Sequence, residues 1–132
     1  MDQLASRLQD VAESGIYQLN CAPESVRIAA EQVGFALLEA DLSAVHGKGA
    51  LLAALAQAVR APEWFGNNWD ALADALGDLS WLSAPGYVLM LGHGEEHFGL
   101  NDSDYDTLQA ILTDTVAFWA SQGKPFWIFI CA

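Results

Sequence analysis

The sequence predicts an α/β protein in which a small parallel β-sheet is packed with helices. Two observations indicate this class. Short runs at 35–42, 84–92 and 126–132 are largely apolar, as is typical of strands buried on both faces of a sheet. The segments between them carry apolar residues at helical spacing, which places helices over the sheet. The chain has 132 residues, 53% of them hydrophobic, and we expect residues 1–132 to form a single domain with a substantial core.

The first 34 residues predict a helix, a short strand and a second helix. The first helix spans residues 2–13 and is ended by Gly15, and the strand follows at 15–19. Pro23 then marks a turn, and the apolar spacing of residues 24–34 predicts the second helix.

The remaining residues predict a strand, a helix, a short acidic helix, a strand, a long helix and a final strand. Pro62 ends the first of these helices, and Asn68 caps the acidic helix, because its side-chain oxygen can accept from first-turn amides. Gly123 and the following Pro125 stop the long helix. The predicted bounds are 35–42, 49–61, 69–79, 84–92, 102–122 and 126–132.

The charge balance favours a basic partner. Seventeen acidic residues stand against five Lys and Arg, which gives a formal net charge of −12. Nucleic acid is excluded as a direct ligand, because its phosphates would be repelled where binding requires Lys and Arg. A negative field instead accelerates the approach of cationic proteins.

The sequence also predicts a soluble, cytoplasmic protein without cofactors. The N-terminus lacks the basic and apolar regions of a signal peptide, and no apolar stretch reaches the roughly 18 residues of a membrane span. Cys21 and Cys131 form neither a CxxC pair nor a disulfide framework, so we expect both to be reduced and buried.

Two polar segments carry residue types that bind metal ions. At 92–99, His93 and His97 with the neighbouring glutamates supply ligand types, but the spacing is not that of a helical zinc site. The segment 102–107 begins like a calcium loop but lacks the glycine that such a loop needs at its sixth position. A polar loop and a capped helix are the simpler interpretations, and no residue set assembles an active site.

The acidic helix carries Asp70, Asp74 and Asp78 one turn apart. Like charges at this spacing destabilise a helix by roughly 0.2–0.5 kcal/mol per pair. Asp70 is favourable in the first turn, whereas Asp74 and Asp78 have no Lys or Arg three or four residues away. The face is therefore either a solvated surface or a surface that receives a cationic partner.

Just before this helix, Trp64 and Phe65 stand beside Gly66 and two asparagines. The two aromatic side chains either plug the core at the end of the sheet or form partly exposed anchors, because aromatic residues are enriched at interface hot spots.

The stretch PEWFGNNWDALAD, residues 62–74, resembles the characteristic motif of the barstar family, the intracellular inhibitors of the secreted ribonuclease barnase. That motif reads proline, acidic, two aromatics, glycine, any residue, asparagine, apolar, aspartate, alanine, leucine, any residue, aspartate. The order of elements from about 35 to 130 is also similar to the barstar fold. The resemblance makes residues 35–131 a barstar-like core and residues 1–34 an extension, which either adds an edge strand and a helix beside the sheet or forms its own contact.

The resemblance implies binding and not catalysis. Asp74 would insert among cationic side chains of a nuclease active site, where its carboxylate replaces a substrate phosphate, and Asp70 would pair with a further basic residue. Trp64 would stack at the mouth of that site. Gly66 and Asn68 would shape the loop and cap the helix.

Two departures from the family pattern concern the identity of the partner. Ala73 occupies a position where the family inhibitor contacts the nuclease with a Trp, and Phe118 and Gln122 replace acidic residues of the long helix. Peripheral contacts often decide which partner fits, so these two departures leave the kind of basic partner open. It is a ribonuclease, another nuclease toxin or a non-nuclease. The hypotheses are an inhibitor or immunity-type protein, a non-inhibitory adaptor of the same fold, and a metal enzyme around His93 and His97.

Overall fold

A computed structural model describes residues 3–19, 23–62, 66–92 and 96–131. In chain order the helices and strands are α1 Gln3–Leu8, β1 Ile16–Leu19, α2 Pro23–Gln32, β2 Ala36–Asp41, α3 Lys48–Ala58, α4 Trp69–Leu76, β3 Tyr87–Gly92, α5 Asp102–Ser121 and β4 Phe126–Cys131. Short 3₁₀ turns lie at Val11–Glu13 and Glu96–Gly99. No helix in these ranges is long and apolar enough to cross a bilayer.

The four described strands form one parallel sheet in the order β1-β4-β3-β2. At its centre, Leu89 of β3 lies between Leu38 of β2 and Ile128 of β4. All three side chains are completely buried. The prediction of an α/β protein with a small parallel sheet packed with helices is confirmed.

The helices divide between the two faces of the sheet, because successive side chains of a strand point to opposite faces. We call one face the α4 side: its core joins Leu38, Leu89 and Ile128 to apolar residues of α3, α4 and α5. The opposite face is the α2 side, where Val88 and Trp127 pack with residues of α1 and α2. The sheet therefore separates α2 from α4.

The N-terminal segment is joined to both the edge and the α2 side of the sheet. β1 pairs with β4, and the Ile128 amide donates to the Gly15 carbonyl at 2.9 Å. On the α2 side, the buried Trp127 indole N–H donates to the Leu8 carbonyl at 2.9 Å. Of the two placements that the sequence left open, this part of the chain adds an edge strand and helices beside the sheet. The division into an extension of 1–34 and a core of 35–131 stays a prediction.

The predicted helices all end earlier in the structure than the sequence indicated; α3, for example, stops at Ala58 and not at 61. The reason is visible for α1 and α4. α1 stops at Leu8, because the Asp10 side chain accepts from the Ala12 amide and starts a separate turn. α4 stops at Leu76 and not near 79, because Leu79 adopts a left-handed conformation, φ 50°, in which its side chain is buried. Asp78 therefore lies in the turn after α4 and not on the helix.

Candidate binding surface

The start of α4 is fixed by Asn68, as the sequence predicted. Asn68 is extended, with φ −140° and ψ 171°, and its side-chain oxygen accepts from the Ala71 amide at 2.8 Å. Its side-chain NH₂ donates to the Gly66 carbonyl at 3.3 Å. One side chain thus satisfies a free amide of the helix and holds the preceding loop.

Gly66 leaves room for this cap. A Cβ at Gly66 would lie 3.0 Å from the side-chain nitrogen of Asn68, which is closer than nearly all real contacts of this kind. The next residue, Asn67, has φ 53° and turns the chain into the helix. Both Gly66 and Asn68 are exposed. Trp64 lies outside the described residues.

α4 separates apolar and acidic side chains cleanly. Its inner side is buried and consists of Ala71, Leu72, Ala75 and Leu76. Asp70, Ala73 and Asp74 are exposed on the outer side, and we call these three residues the acidic surface. The two carboxylates are one turn apart, about 6 Å along the helix axis, with only a methyl group exposed between them at Ala73.

The carboxylates of the acidic surface form no ion pair with a cation among the described residues. The ion pairs in the described part of the chain use Arg7 and Arg27, each with glutamates outside α4. Asp70 still benefits from its place in the first turn, where the helix dipole favours an anion. Asp74, in the second turn, has neither an ion pair among the described residues nor that position.

Two lysines that are distant in sequence lie over tryptophan rings that belong to α4 or contact it. The ammonium of Lys48 lies 5.6 Å from the centroid of the Trp69 ring, at the first residue of α4. The ammonium of Lys124 lies 5.7 Å from the Trp119 ring, and the Trp119 indole N–H donates to the Leu76 carbonyl at 2.7 Å, at the last residue of α4. Neither lysine has a local spacing that relates it to the acidic helix, so the sequence gives no sign of these contacts.

The exposed residues that depart from the family pattern on α5 are also near this end. Phe118 is 42% exposed, and its ring meets Trp119 edge-on with centroids 5.2 Å apart. Gln122 is exposed as well. Phe118 and Gln122 are thus uncharged and exposed at the end of α5, and the nearest charge to the Trp119 ring that the structure shows is the ammonium of Lys124.

The polar segment after β3 lies partly outside the described residues, and His93 is among those outside. His97 is exposed and stacks on Tyr105, with ring centroids 4.2 Å apart. Within the described ranges, no group of three or more His, Cys, Asp or Glu residues could hold a metal ion. Cys131 is buried, as expected from the sequence, whereas Cys21 falls outside the ranges.

A family model described as Barstar (barnase inhibitor) matches residues 35–131. The chain belongs to the barstar family. The match begins just before β2 and extends through β4, so it includes α4 and the whole acidic surface. β1, α1 and α2 precede the matched residues. No curated protein matches the chain.

Proposed function

We propose that the chain is a barstar-like inhibitor that binds a basic protein, a ribonuclease, by placing carboxylates of α4 in its cationic active site. The observation that carries this proposal is the acidic surface: two exposed carboxylates on a capped helix, with no cation paired to them among the described residues. The description of the matched family as a barnase inhibitor supports the same function.

The surface is suited to this role because it is already organised. Asp70 and Asp74 project from one helix whose inner side is packed and whose start is capped. Little backbone entropy is then lost when the carboxylates meet their partner. Carboxylates one turn apart can accept charge-assisted hydrogen bonds from Arg, Lys or protonated His side chains that otherwise bind phosphate.

Long-range electrostatics support the same partner class. A net charge of −12 attracts a cationic protein and raises its association rate, an effect that salt screens. A nuclease toxin that must be restrained inside its producing cell fits this chemistry, which gives the chain an immunity role in the cytoplasm. In this role the chain binds and does not catalyse.

The decisive residue is Asp74, and its amide variant tests the proposal. We expect Asp74→Asn, which preserves shape and removes the charge, to weaken binding of a basic ribonuclease partner by about 10- to 100-fold, the loss of a charged hydrogen bond. Glu31→Gln is the matched control, because Glu31 is exposed on α2, on the other face of the sheet. Calorimetric titration of the two variants and the wild type measures the difference. Equal affinities of all three proteins would refute α4 as the binding surface.

A non-inhibitory adaptor is the second candidate function, and Ala73 favours it. The methyl group of Ala73 gives the acidic surface a flat centre that need not enter a deep cleft. Assaying the RNA-cleaving activity of the partner with and without the chain separates the two functions. Loss of cleavage at a stoichiometric ratio supports an inhibitor, and full cleavage by the bound partner supports an adaptor.

A further inference from the structure

The two edges of the sheet differ in charge. Among the described strands, β2 forms one edge and β1 the other. β2 carries Glu39 and Asp41, both exposed, and Glu39 is paired with Arg27. β1, with the sequence IYQL, carries no charged residue. Charged side chains commonly prevent an edge strand from pairing with another chain, so the β2 edge has this protection and the β1 edge lacks it.

Two residues of β1 direct their backbone groups away from the sheet. The Ile128 amide donates to the Gly15 carbonyl, and Ile16 is level with Ile128 in the parallel register, so the backbone groups of Gly15 and Tyr17 face β4. Backbone groups of successive strand residues alternate in direction. The N–H and C=O groups of Ile16 and Gln18 therefore point to the edge, where no described strand lies.

These outward groups are symmetric about Tyr17. If a second copy runs antiparallel with its Tyr17 opposite this one, Ile16 of each copy lies opposite Gln18 of the other. Such hydrogen-bonded pairs exchange both of their N–H···O bonds, so the two strands make about four backbone hydrogen bonds. The edge is thus complementary to itself, as an interface across a two-fold axis requires.

Tyr17 is already ordered for this contact. Its ring stacks on the Trp127 ring on the α2 side, with centroids 5.5 Å apart, and its hydroxyl donates to the Glu13 carbonyl. The residue is nevertheless 40% exposed. In the antiparallel arrangement the two Tyr17 residues form a non-hydrogen-bonded pair, whose side chains approach closely. They cover each other at the two-fold axis at little cost in side-chain entropy.

On the α4 side, an apolar groove of about 370 Å³ runs beside the same strand. It is lined by Gly15 and Ile16 together with Thr113, Val116 and Ala117 of α5. None of these lining residues is charged, and Gly15 and Ala117 are small. The groove therefore places neither a charge nor a large side chain against a strand that approaches β1.

We propose that β1 pairs antiparallel with β1 of a second copy, so that two chains form a two-fold dimer with one continuous sheet. β1 precedes the residues that the family model matches, so this surface belongs to the N-terminal segment. The inference does not depend on the proposed function. Because β1 is only four residues long, the interface is small, and we expect a dissociation constant on the order of 100 µM.

Salt should affect this dimer and the binding of a basic partner in opposite directions. Two copies that each carry a net charge of −12 repel one another, although β1 itself is uncharged. Salt screens this repulsion, so we expect the dimer to tighten at least about 3-fold between about 0.05 M and about 0.5 M NaCl. Binding of a cationic protein should weaken over the same range.

Sedimentation velocity of the full chain at up to about 1 mM in high salt tests the dimer. We expect Gln18→Pro to weaken it about 10- to 100-fold, because proline removes the outward N–H of Gln18 from each copy and leaves the bonds to β4 intact. An unchanged urea midpoint of this variant shows that the fold is retained. Ile28→Gln is the control, because Ile28 is 51% exposed on α2 and should not affect association.

Three outcomes of this experiment would overturn the proposal. A wild-type chain that remains monomeric at the highest concentration has no such dimer. A dimer that Gln18→Pro leaves intact uses another surface. Dissociation by Ile28→Gln, with Gln18→Pro unchanged, would place the interface on α2.

Cysteine variants test the register even if Gln18→Pro does not fold. In a Cys21→Ser background, the Cα atoms of Tyr17→Cys lie about 4.5 Å apart across the two-fold axis, within the range of a disulfide. Those of Gln18→Cys lie about 8 Å apart, beyond that range. Oxidation with copper–phenanthroline should therefore cross-link Tyr17→Cys and not Gln18→Cys on a non-reducing gel. Equal cross-linking of both variants, or none of Tyr17→Cys, would refute the pairing.

Discussion

α2 and α4 lie on opposite faces of one sheet and differ in whether their exposed carboxylates form ion pairs. On α2, Arg27 pairs with Glu24 on the same helix and with Glu39 of β2, the latter at 2.7 Å. The hydrogen bonds from Arg27 to Glu39 and Glu24 raise the pKa of its guanidinium. On α4, Asp70 and Asp74 pair with no cation among the described residues.

Exposed acidic residues say little about function by themselves, and an unpaired carboxylate says little more, because Glu31 of α2 and Asp114 of α5 are also exposed and outside the ion pairs of the described residues. The unpaired carboxylates of α4 differ in that they lie within the barstar-like motif. The α2 arrangement is what a solvated surface with local charge balance looks like. The α4 arrangement costs stability through like-charge repulsion along the helix. Natural proteins accept such costs where function requires them. The following variants test whether stability and binding are divided between the two faces in this way.

The largest effect is expected at Gly86, which packs on the α2 side. A Cβ at this position would come within 2.6–2.8 Å of three atoms of the Phe35 ring, and Phe35 is itself buried. We expect Gly86→Ala to lower the free energy of unfolding by about 1–3 kcal/mol, the usual cost of overpacking. Urea denaturation followed by tryptophan fluorescence measures the loss.

The control for this substitution is Gly49→Ala in α3, where the added methyl meets nothing within 4 Å. There we expect a gain of up to about 1 kcal/mol from helix propensity. Folded Gly86→Ala protein should retain the partner affinity of the wild type. A folded variant that lost binding would show that the two faces of the sheet are coupled. It would contradict the division of stability and binding between them.

An intermediate effect of the opposite sign is expected on α4. Asp74→Ala removes the repulsion from Asp70 and adds helix propensity, so the free energy of unfolding should rise by about 0.5–1 kcal/mol. Asp114→Ala on α5 is the control, because Asp114 is exposed in a helix interior and has no acidic residue three or four positions away.

The difference between these two alanine variants isolates the like-charge contribution, about 0.2–0.5 kcal/mol, and should vanish in 1 M salt. Thermal denaturation at low and high salt supplies the measurement. Equal increases in the free energy of unfolding at both sites in low salt would mean that like-charge repulsion on α4 does not lower stability. α4 would then not differ from α2 in electrostatic cost.

The smallest effect is expected from Arg27→Gln on α2. The ion pairs of Arg27 are solvent-exposed, so their loss should lower the urea midpoint slightly at low salt and hardly at all in 1 M salt. Partner affinity should not fall, because the change lies across the sheet from α4. A marked loss of affinity would place part of the binding surface on α2.

Sequence reasoning succeeded where the deciding interaction is short in sequence. The Asn68 cap reaches three residues forward, and the buried side of α4 follows from a spacing of three and four residues. It failed at the end of α4, because Leu79 leaves the helix to bury its side chain in the core of the α4 side. Local periodicity carries no information about that core.

For the candidate site too, the sequence predicts the features that depend on neighbouring residues and not those that depend on distant ones. The absence of Lys or Arg within four positions of Asp74 was visible in the sequence, and so was the barstar-like motif around it. The contacts of Lys48 with the Trp69 ring and of Lys124 with the Trp119 ring were not visible in the sequence. Lys48 is 21 positions from Trp69, and the Trp119 indole bonds a carbonyl 43 positions away.

The sequence by itself thus determined the elements, the cap and the uncompensated charge, because these depend on residues within about one helical turn of each other. Tertiary structure alone decided that β1 lies at the sheet edge beside β4, that Arg27 reaches Glu39, and that Lys48 lies over the Trp69 ring. Such contacts join residues far apart in the chain, and they exist only once the strand order and the packing of helices on each face bring those residues together.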